Sequence, residues 1–247
     1  MTELQQTILI TGARGRMGRE ILPKLEGFKI LAPARAELEL TDPGEVQAYL
    51  ERERPDFILH LAAYTDVAKA EQEREKCYAE NVLAVRHLVR SSETVKRFVH
   101  ISTDYVFDGE RGGYFEDESV APANYYSLTK ALGEEAAKGH PRALIVRTSF
   151  KMAPWPYPKA FADQFTSADF VDVIALELKT LLENLERVPL ELETLHIGTE
   201  RKSVFDLAVR RTPEVQPMSR ADVKVHIPPD VSLDTSRWEA LKATFKV

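Results

Sequence analysis

A glycine-rich turn between a strand and a helix, close to the start of the chain, restricts its fold more than any other feature. The apolar run 7–10 is followed by glycines at 12, 15 and 18 and then by a helical pattern through Leu25. The first glycine permits a sharp turn, the second lets a pyrophosphate approach the backbone, and the third lets the helix pack on the strand. Phosphates bind where the first N–H groups of such a helix have no partner. The turn therefore predicts a dinucleotide site. Its proposed members are Gly12, Arg14, Gly15, Arg16, Met17 and Gly18.

Apolar runs of strand length alternate with helical patterns through the first part of the chain. The further strands are predicted at 28–32, 57–63, 97–103 and 143–147. This alternation is typical of a parallel sheet with right-handed crossovers, in which ligands bind at the carboxyl ends of the strands. Thr11, Ala62 and Thr103 all lie at such ends. We predict an α/β fold with a doubly wound parallel sheet of the Rossmann type.

We predict two domains. Residues 1–149 form the dinucleotide-binding domain, and a helix at 169–186 is expected to pack back onto it. Residues 150–168 and 187–247 form a small C-terminal substrate lobe.

Composition excludes several classes of function. The chain has 247 residues, of which 44% are hydrophobic and 29% charged, as in globular proteins that fold in water. A net charge of −6 argues against nucleic acid or an anionic membrane as a partner. No apolar run approaches the roughly 20 residues of a membrane span, and the polar first residues give no sign of a secretory leader. We expect a cytoplasmic protein, a monomer or homodimer, with no metal ligands assigned and metal use left open.

The residues beyond the second strand bear on cofactor choice. NAD-binding folds place an acid there, hydrogen-bonded to the ribose 2′-hydroxyl. The equivalent position here is Ala34, followed by Arg35. With Arg14 and Arg16, this leaves no carboxylate to repel a 2′-phosphate and up to three guanidinium groups to bind one. NADP(H) is therefore predicted in preference to NAD(H), although the same arginines also fit a solvated surface.

Tyr126 and Lys130 begin a helical pattern that runs to Ala137. Their spacing of four places both side chains on one helical face. A ketone that accepts hydride becomes an alkoxide, so a reductase needs an acid beside that oxygen and a hydrogen-bond donor. A nearby ammonium group is expected to lower the tyrosine pKa from about 10. Thr103 would hydrogen-bond and orient the carbonyl. The pair alone is weak evidence, because an exposed helix can carry the same two residues.

The segments around these residues resemble the dTDP-4-dehydrorhamnose reductases, extended short-chain dehydrogenase/reductases that act on nucleotide sugars. The matching motifs are Ile-Ser-Thr-Asp-Tyr-Val-Phe-Asp-Gly at 101–109, Tyr-Ser-Leu-Thr-Lys-Ala-Leu-Gly-Glu at 126–134 and Ala-Ala-Tyr-Thr at 62–65. The family usually has glycine at Ser127, a carboxylate at Ala68 and a longer insertion after residue 150. The substrate lobe therefore looks shortened.

The resemblance implies NADPH-dependent reduction of the 4-keto group of a dTDP-6-deoxyhexose to dTDP-L-rhamnose. Tyr126 would protonate the oxygen, and Lys130 would hold the nicotinamide ribose and tune Tyr126. Further implied cofactor contacts are Arg35, Glu39, Leu40, Ala62, Ala63, Tyr64 and Asn81. The implied sugar-nucleotide contacts are Thr65, Thr103, Asp104, Tyr105 and Trp155.

Several alternatives stay open. Asn81, in a predicted helix at 68–91, would either support the lysine through a water or face solvent. Trp155, in a proline-rich loop, would either contact the nucleotide or fill the space left by the shortened lobe. The protein could also be a non-catalytic, dinucleotide-binding regulator, which the shortened lobe favours, or a reductase of another nucleotide sugar. Intact Thr103, Tyr126 and Lys130 favour catalysis.

Overall fold

The computed structural model describes residues 5–245, and its centre is a six-stranded parallel sheet. In chain order the strands are β1 Thr7–Thr11, β2 Lys29–Leu31, β3 Phe57–His60, β4 Arg97–Ser102, β5 Ala143–Thr148, β6 Phe150–Lys151, β7 Lys159–Phe161, β8 Phe165–Thr166, β9 Asp169–Phe170, β10 Thr194–Ile197, β11 Lys202–Ser203 and β12 Gln216–Met218. The central sheet has the order β2-β1-β3-β4-β5-β10. The predicted α/β fold with a doubly wound parallel sheet is confirmed.

The helices are shorter and more divided than the sequence pattern predicts. They are α1 Arg16–Ile21, α2 Pro43–Glu53, α3 Val67–Ala70, α4 Arg74–Tyr78, α5 Ala84–Ser91, α6 Tyr125–Ala137, α7 Val171–Leu182, α8 Val204–Val209 and α9 Ser236–Thr244. A π-helical turn, Ala79–Leu83, joins α4 to α5. The single helix predicted at 68–91 is therefore divided into three helices and this turn. Among residues 5–245 no helix has the length and apolar character needed to cross a bilayer.

Helices cover both faces of the sheet, because successive strand residues point to opposite sides. Ile8 and Ile10 of β1 pack in a cluster with residues of α1, α7 and α9. Leu9, between them, packs with residues of α2 and α5 on the other face. The sheet is thus buried on both sides, and its carboxyl edge is left to form a site.

The C-terminal third of the chain contributes to this core. β10 is the edge strand of the central sheet, and Trp238 of α9 is fully buried in the cluster that contains α7. Both lie within the range 187–247 assigned to the lobe from sequence. The lobe itself is built from three small strand pairs, β6 with β9, β7 with β12 and β8 with β11, and from α8.

Candidate active site

A cavity of about 340 Å³ opens at the carboxyl ends of β1, β2 and β3. It is lined by residues of the glycine turn and of the segments that follow the next two strands. The predicted cofactor-binding residues that line it are Gly12, Arg14, Gly15, Arg35, Glu39, Leu40, Ala62 and Ala63. Its size and its mainly apolar lining with a few charged groups are typical of a small-molecule site.

Arg16, Met17, Gly18 and Tyr64, which were also predicted to bind the cofactor, do not line this cavity. Met17 is buried in the core and Arg16 is exposed. Gly18 permits close packing of α1, since a Cβ there would lie 2.4 Å from the carbonyl oxygen of Ala13. Some residues of the glycine turn thus line the cavity, whereas others pack the first helix against its neighbours.

Gly12 is required by the approach of the chain after β3. Its φ angle is +71°, a conformation that side chains rarely adopt. A Cβ at this position would also lie 2.6 Å from the backbone nitrogen of Ala62. Glycine here therefore permits both the turn and the cavity wall beside it.

Arg35 is held by two carboxylates that also line the cavity. Its Nε donates to Glu39 at 2.7 Å, and its Nη1 donates to Glu80 at 2.9 Å. Glu39 and Glu80 both line the cavity. Two carboxylates thus line a cavity that the sequence predicted to be basic, and both are paired with Arg35. Sequence reasoning missed Glu80 because it comes from the π-helical turn, far from Arg35 in sequence; only its neighbour Asn81 drew attention to this segment.

Tyr126 and Lys130 lie one turn apart on the buried face of α6. Asn124 caps the helix by accepting hydrogen bonds from the backbone N–H and the hydroxyl of Ser127. The hydroxyl of Ser127, at a position where the family usually has glycine, therefore takes part in the helix cap. Tyr126 is 8% exposed and Lys130 3% exposed. The Nζ of Lys130 donates to the carbonyl of Ile101, in β4, at 2.8 Å.

The electrostatics of this pair differ from the sequence expectation. Burial raises the pKa of Tyr126, the charge of Asp104 raises it further, and a hydrogen bond with Thr103 opposes the shift. Burial lowers the pKa of Lys130 to about 8, against the opposing charge of Glu134. Lys130, whose ammonium group donates to the Ile101 carbonyl, is not among the main influences on the pKa of Tyr126. The tyrosine is therefore held in its protonated form.

Thr103 and Asp104 follow β4 directly. Thr103 Oγ1 donates to Asp104 Oδ1 at 3.0 Å and accepts from the backbone N–H of Tyr105 at 3.2 Å. Asp104 is 1% exposed, and its Oδ2 has no hydrogen-bond partner among the described residues. Burial raises the pKa of Asp104 to about 6, although Lys151, Thr103 and Ser149 oppose the shift. A carboxyl group that takes up a proton near neutrality thus lies beside the Thr103 hydroxyl.

Asn81 ties the chain after β3 to the helix that carries Tyr126 and Lys130. Its side chain accepts from the backbone N–H of Tyr64 at 2.8 Å and donates to Thr129 Oγ1 at 2.9 Å. It is 1% exposed, so the alternative of a solvent-facing asparagine was wrong. The π-helical turn that carries Asn81 can pack closely on α6 because residue 133 is glycine. A Cβ there would lie 2.5 Å from the Asn81 carbonyl oxygen.

The remaining predicted contacts lie at different depths. Tyr64 is buried against Tyr126, and half-buried Tyr105 packs on the same cluster, whereas Thr65 is exposed. Half-buried Trp155 packs against the core of the lobe, which contains Val204 and Ala208 of α8. Its Nε1 donates to the carbonyl of Lys159 at 3.2 Å. This packing supports the space-filling alternative for Trp155.

Within residues 5–245, no group of three or more His, Cys, Asp or Glu side chains is arranged to hold a metal ion.

We therefore predict that Trp155→Ala lowers the free energy of unfolding by about 2–3 kcal/mol, below the range for a fully buried tryptophan. Affinity for dTDP should change little. Denaturant unfolding and dTDP titration of the same variant measure both quantities. Tyr157→Ala is the control, because Tyr157 is 64% exposed and contacts Trp155 only edge-on. Weaker dTDP binding with unchanged stability would instead assign Trp155 to the nucleotide.

A parallel sheet in this order, a glycine turn after β1, and a Tyr-x-x-x-Lys pair on the helix before β5 define a Rossmann-type protein of the short-chain dehydrogenase/reductase class. The family model described as the RmlD substrate binding domain matches residues 6–154, more than half of the chain. The chain belongs to this family, and the resemblance to dTDP-4-dehydrorhamnose reductases is confirmed.

Individual relatives agree with this assignment. The dTDP-4-dehydrorhamnose reductase of Mycobacterium tuberculosis (strain ATCC 25618 / H37Rv) is 34% identical over 183 residues, which cover 70% of this chain and 56% of that protein. The chain spans about half the length of the curated relatives it matches.

Two solved structures match over nearly their whole length. The dTDP-4-dehydrorhamnose reductase from Bacillus anthracis, in complex with NADP, has a TM-score of 0.84 at 28% identity, covering 100% of this chain and 99% of that chain. A hypothetical dTDP-4-dehydrorhamnose reductase from Sulfolobus tokodaii has a TM-score of 0.82 at 35% identity, covering 95% and 94%.

Proposed function

We propose that this protein uses NADPH to reduce the 4-keto group of a dTDP-linked 6-deoxyhexose, with dTDP-L-rhamnose as the product. The observation that carries the proposal is the grouping of Thr103, Tyr126 and Lys130 at the carboxyl edge of the sheet. Thr103 lies close enough to Tyr126 to influence its pKa, and Lys130 is buried one helical turn away. An acid, a hydrogen-bond donor and a cation are the groups that carbonyl reduction requires.

The cavity beside the glycine turn fits the cofactor. Gly12 and Ala62 form a wall that a side chain would fill, and Arg14 and Arg35 provide positive charge for phosphates. NADPH supplies the hydride when bound. Arg14, Gly15, Ala63 and Leu40 would hold it at this cavity, and Lys130 would hold the nicotinamide ribose.

The protein side chains then handle the proton. Thr103 orients the ketone by turning its hydroxyl proton from Asp104 Oδ1 to the ketone oxygen. Tyr126 donates its proton to that oxygen as charge develops there. The raised pKa of Tyr126 suits reduction of a ketone, because it keeps the tyrosine protonated before each reduction. Tyr126 is 8% exposed, so bulk water has little access to the proton donor.

Oxidation of NADPH tests the proposal, measured with a panel of nucleotide-linked 4-keto sugars. The dTDP-linked 4-keto-6-deoxyhexose should give the highest kcat/KM. Saturable NADPH binding without oxidation by any sugar would support the non-catalytic regulator, and preference for another nucleotide would support a different reductase. The match to the Bacillus anthracis protein along its whole chain favours the enzyme over the regulator.

The same proposal includes a preference for NADPH over NADH of at least about tenfold, or about 1.4 kcal/mol. Arg35 lies at the cavity, but a 2′-phosphate must compete there with Glu39 and Glu80. Arg35→Asp should reverse the order of the two affinities. Glu80→Gln should strengthen NADPH binding and leave NADH binding nearly unchanged, because only the phosphate meets the removed charge. Titration of both cofactors measures this, and equal affinities in the unmutated protein would contradict the preference.

We also propose that residues 1–149 with α7 hold the cofactor and that the lobe holds the sugar. A cytoplasmic location, a monomer or homodimer, and no nucleic-acid partner complete the proposal. The net charge of −6 supports the last of these. Light scattering of the purified protein measures its oligomeric state.

A further inference from the structure

We propose that Asp230 is a positioning residue for the reduction, because it holds the loop that follows Thr103 against the substrate lobe. This loop, residues 107–114, is called the motif loop below, and Asp230 belongs to residues 228–234, called the bridging segment. The kinetic consequence rests on the proposed function, but the positioning itself can be measured without substrate. Thr103 would then take its place relative to the sugar from a segment near the end of the sequence.

The motif loop depends on its neighbours for its shape. It contains three glycines with positive φ angles, +76° at Gly109, +71° at Gly112 and +58° at Gly113. Glycine loses more conformational freedom on folding than any other residue, so such a loop needs contacts elsewhere to keep one conformation. The loop continues directly from the 3₁₀ turn Asp104–Val106, which Thr103 caps. Displacement of the loop should therefore displace the turn that carries Thr103.

The bridging segment supplies such contacts on one of its sides. The backbone N–H of Asp230 donates to the carbonyl of Gly109 at 2.8 Å, and the N–H of Tyr114 donates to the carbonyl of Ser232 at 3.2 Å. The ring of Tyr114 stacks on that of Phe107, with 4.3 Å between the ring centres. The segment is thus bonded to the motif loop near both of its ends.

The same segment contacts the helix that carries Lys130. Leu233 lies in one buried cluster with Phe107 and with Ala131 of α6. Ala131 follows Lys130 directly in the sequence. The bridging segment therefore contacts both elements that the proposed reaction brings together, the motif loop after Thr103 and α6.

On its other side the bridging segment is bonded to β8 of the lobe. The N–H of Phe165 donates to the carbonyl of Pro229 at 2.8 Å, and the N–H of Val231 donates to the carbonyl of Phe165 at 3.0 Å. Between these bonds, Asp230 Oδ2 accepts from Arg201 Nε at 2.6 Å. The guanidinium carbon of Arg201 lies 3.8 Å from the centre of the Phe165 ring. The segment thus joins the lobe to the motif loop.

The carboxylate of Asp230 lies directly on the backbone of the motif loop. A Cβ at Gly112 would lie 2.0 Å from Asp230 Cγ and 2.2 Å from its Oδ2. Asp230 is 6% exposed, and its Oδ1 accepts from the backbone N–H of Ser232 at 2.9 Å. A carboxylate is costly to bury unless hydrogen bonds and an opposite charge offset its desolvation. Because Arg201 and Ser232 provide these partners, the carboxylate fixes the lobe, the bridging segment and the motif loop against one another.

Hydrogen–deuterium exchange of residues 103–107, read by mass spectrometry, measures the positioning without substrate. The N–H of Tyr105 is bonded to Thr103 Oγ1 at 3.2 Å, and the N–H of Phe107 to the carbonyl of Asp104 at 3.1 Å. In Asp230→Ala these groups should exchange faster by about tenfold, because the bonds that anchor the motif loop are lost. Faster exchange confined to residues 228–234 would overturn the proposal.

Asp169→Ala is the matched control for this comparison. Asp169 also belongs to the lobe and is 5% exposed, but its carboxylate accepts from the N–H of Phe170 at 2.7 Å and from the hydroxyl of Thr199 at 3.0 Å. Its loss should leave the exchange of residues 103–107 unchanged. Equal acceleration in the two variants would indicate general loosening of the lobe and would also overturn the proposal.

Turnover of the dTDP-linked 4-keto-6-deoxyhexose tests the consequence for the reaction. Asp230→Ala should lower kcat by about tenfold or more, because the reacting groups lose their fixed separation. Affinity for NADPH should stay unchanged, since Asp230 does not line the cofactor cavity. Asp230→Asn keeps an acceptor for the N–H of Ser232 and should recover part of kcat. A loss of NADPH affinity as large as the loss of kcat would contradict the positioning role. If the unmutated protein oxidised NADPH with no sugar, the proposed function would fail, and the exchange comparison would still decide whether Asp230 holds the turn.

Discussion

Replacing Tyr126 by phenylalanine is expected to lower turnover by about 10² or more, while affinity for NADPH stays nearly unchanged. The substitution removes only the hydroxyl group that donates the proton. The ring remains packed against Tyr64, Ala70 and Cys77, so the helix that carries Lys130 should keep its position. Steady-state kcat and a fluorescence titration of NADPH measure the two quantities.

Tyr125→Phe is the matched control for this experiment. Tyr125 precedes Tyr126 on α6 and packs on the same cluster, but its ring lies beneath Arg74, at 4.8 Å. Its hydroxyl is not required for the reaction, so turnover should stay close to that of the unmutated protein. If Tyr126→Phe kept most of its activity, another acid would have to donate the proton.

Replacing Arg147 by methionine is expected to lower the free energy of unfolding by about 3–5 kcal/mol, because it leaves a buried carboxylate without its partner. Arg147 and Glu134 are 3% and 2% exposed, and Arg147 Nη2 lies 2.8 Å from Glu134 Oε2. The guanidinium also donates to the carbonyl of Glu116 and lies 5.1 Å from the ring centre of Phe107. The pair joins α6 to β5, so its loss should also loosen the helix that carries Tyr126.

An exposed pair with the same chemistry provides the comparison. Arg211 binds Asp172 through two hydrogen bonds of 2.7 and 2.9 Å, but the side chains are 36% and 41% exposed. Arg211→Met should cost no more than about 1 kcal/mol, because water replaces the lost partner. Urea unfolding of both variants decides between them. The double change Glu134→Leu with Arg147→Met should recover much of the loss, and equal losses for the two single variants would contradict the burial argument.

The features that were predicted correctly from the amino-acid sequence are those that follow from short-range rules. The period of apolar residues predicted the central strands, since a strand buried on both faces must be apolar almost throughout. The glycine spacing predicted the turn after β1, because only glycine meets the backbone of Ala62 at that distance. The spacing of four placed Tyr126 and Lys130 together on a helical face. The motif 101–109 identified the family, which the family model for residues 6–154 confirmed.

The contacts of those residues could not be predicted in this way, because contacts across the fold leave no periodic signal in the sequence. Arg35 and Glu80 meet at 2.9 Å although 45 positions separate them, and the carboxylates offset the positive charge expected around the cavity. Lys130 donates to the carbonyl of Ile101 in β4, a contact that the helical spacing of Tyr126 and Lys130 does not predict. Asp104 loses its solvent through the packing of several elements, and that burial raises its pKa to about 6. Short-range rules place side chains on a face, but desolvation and charge pairing depend on everything that packs against it.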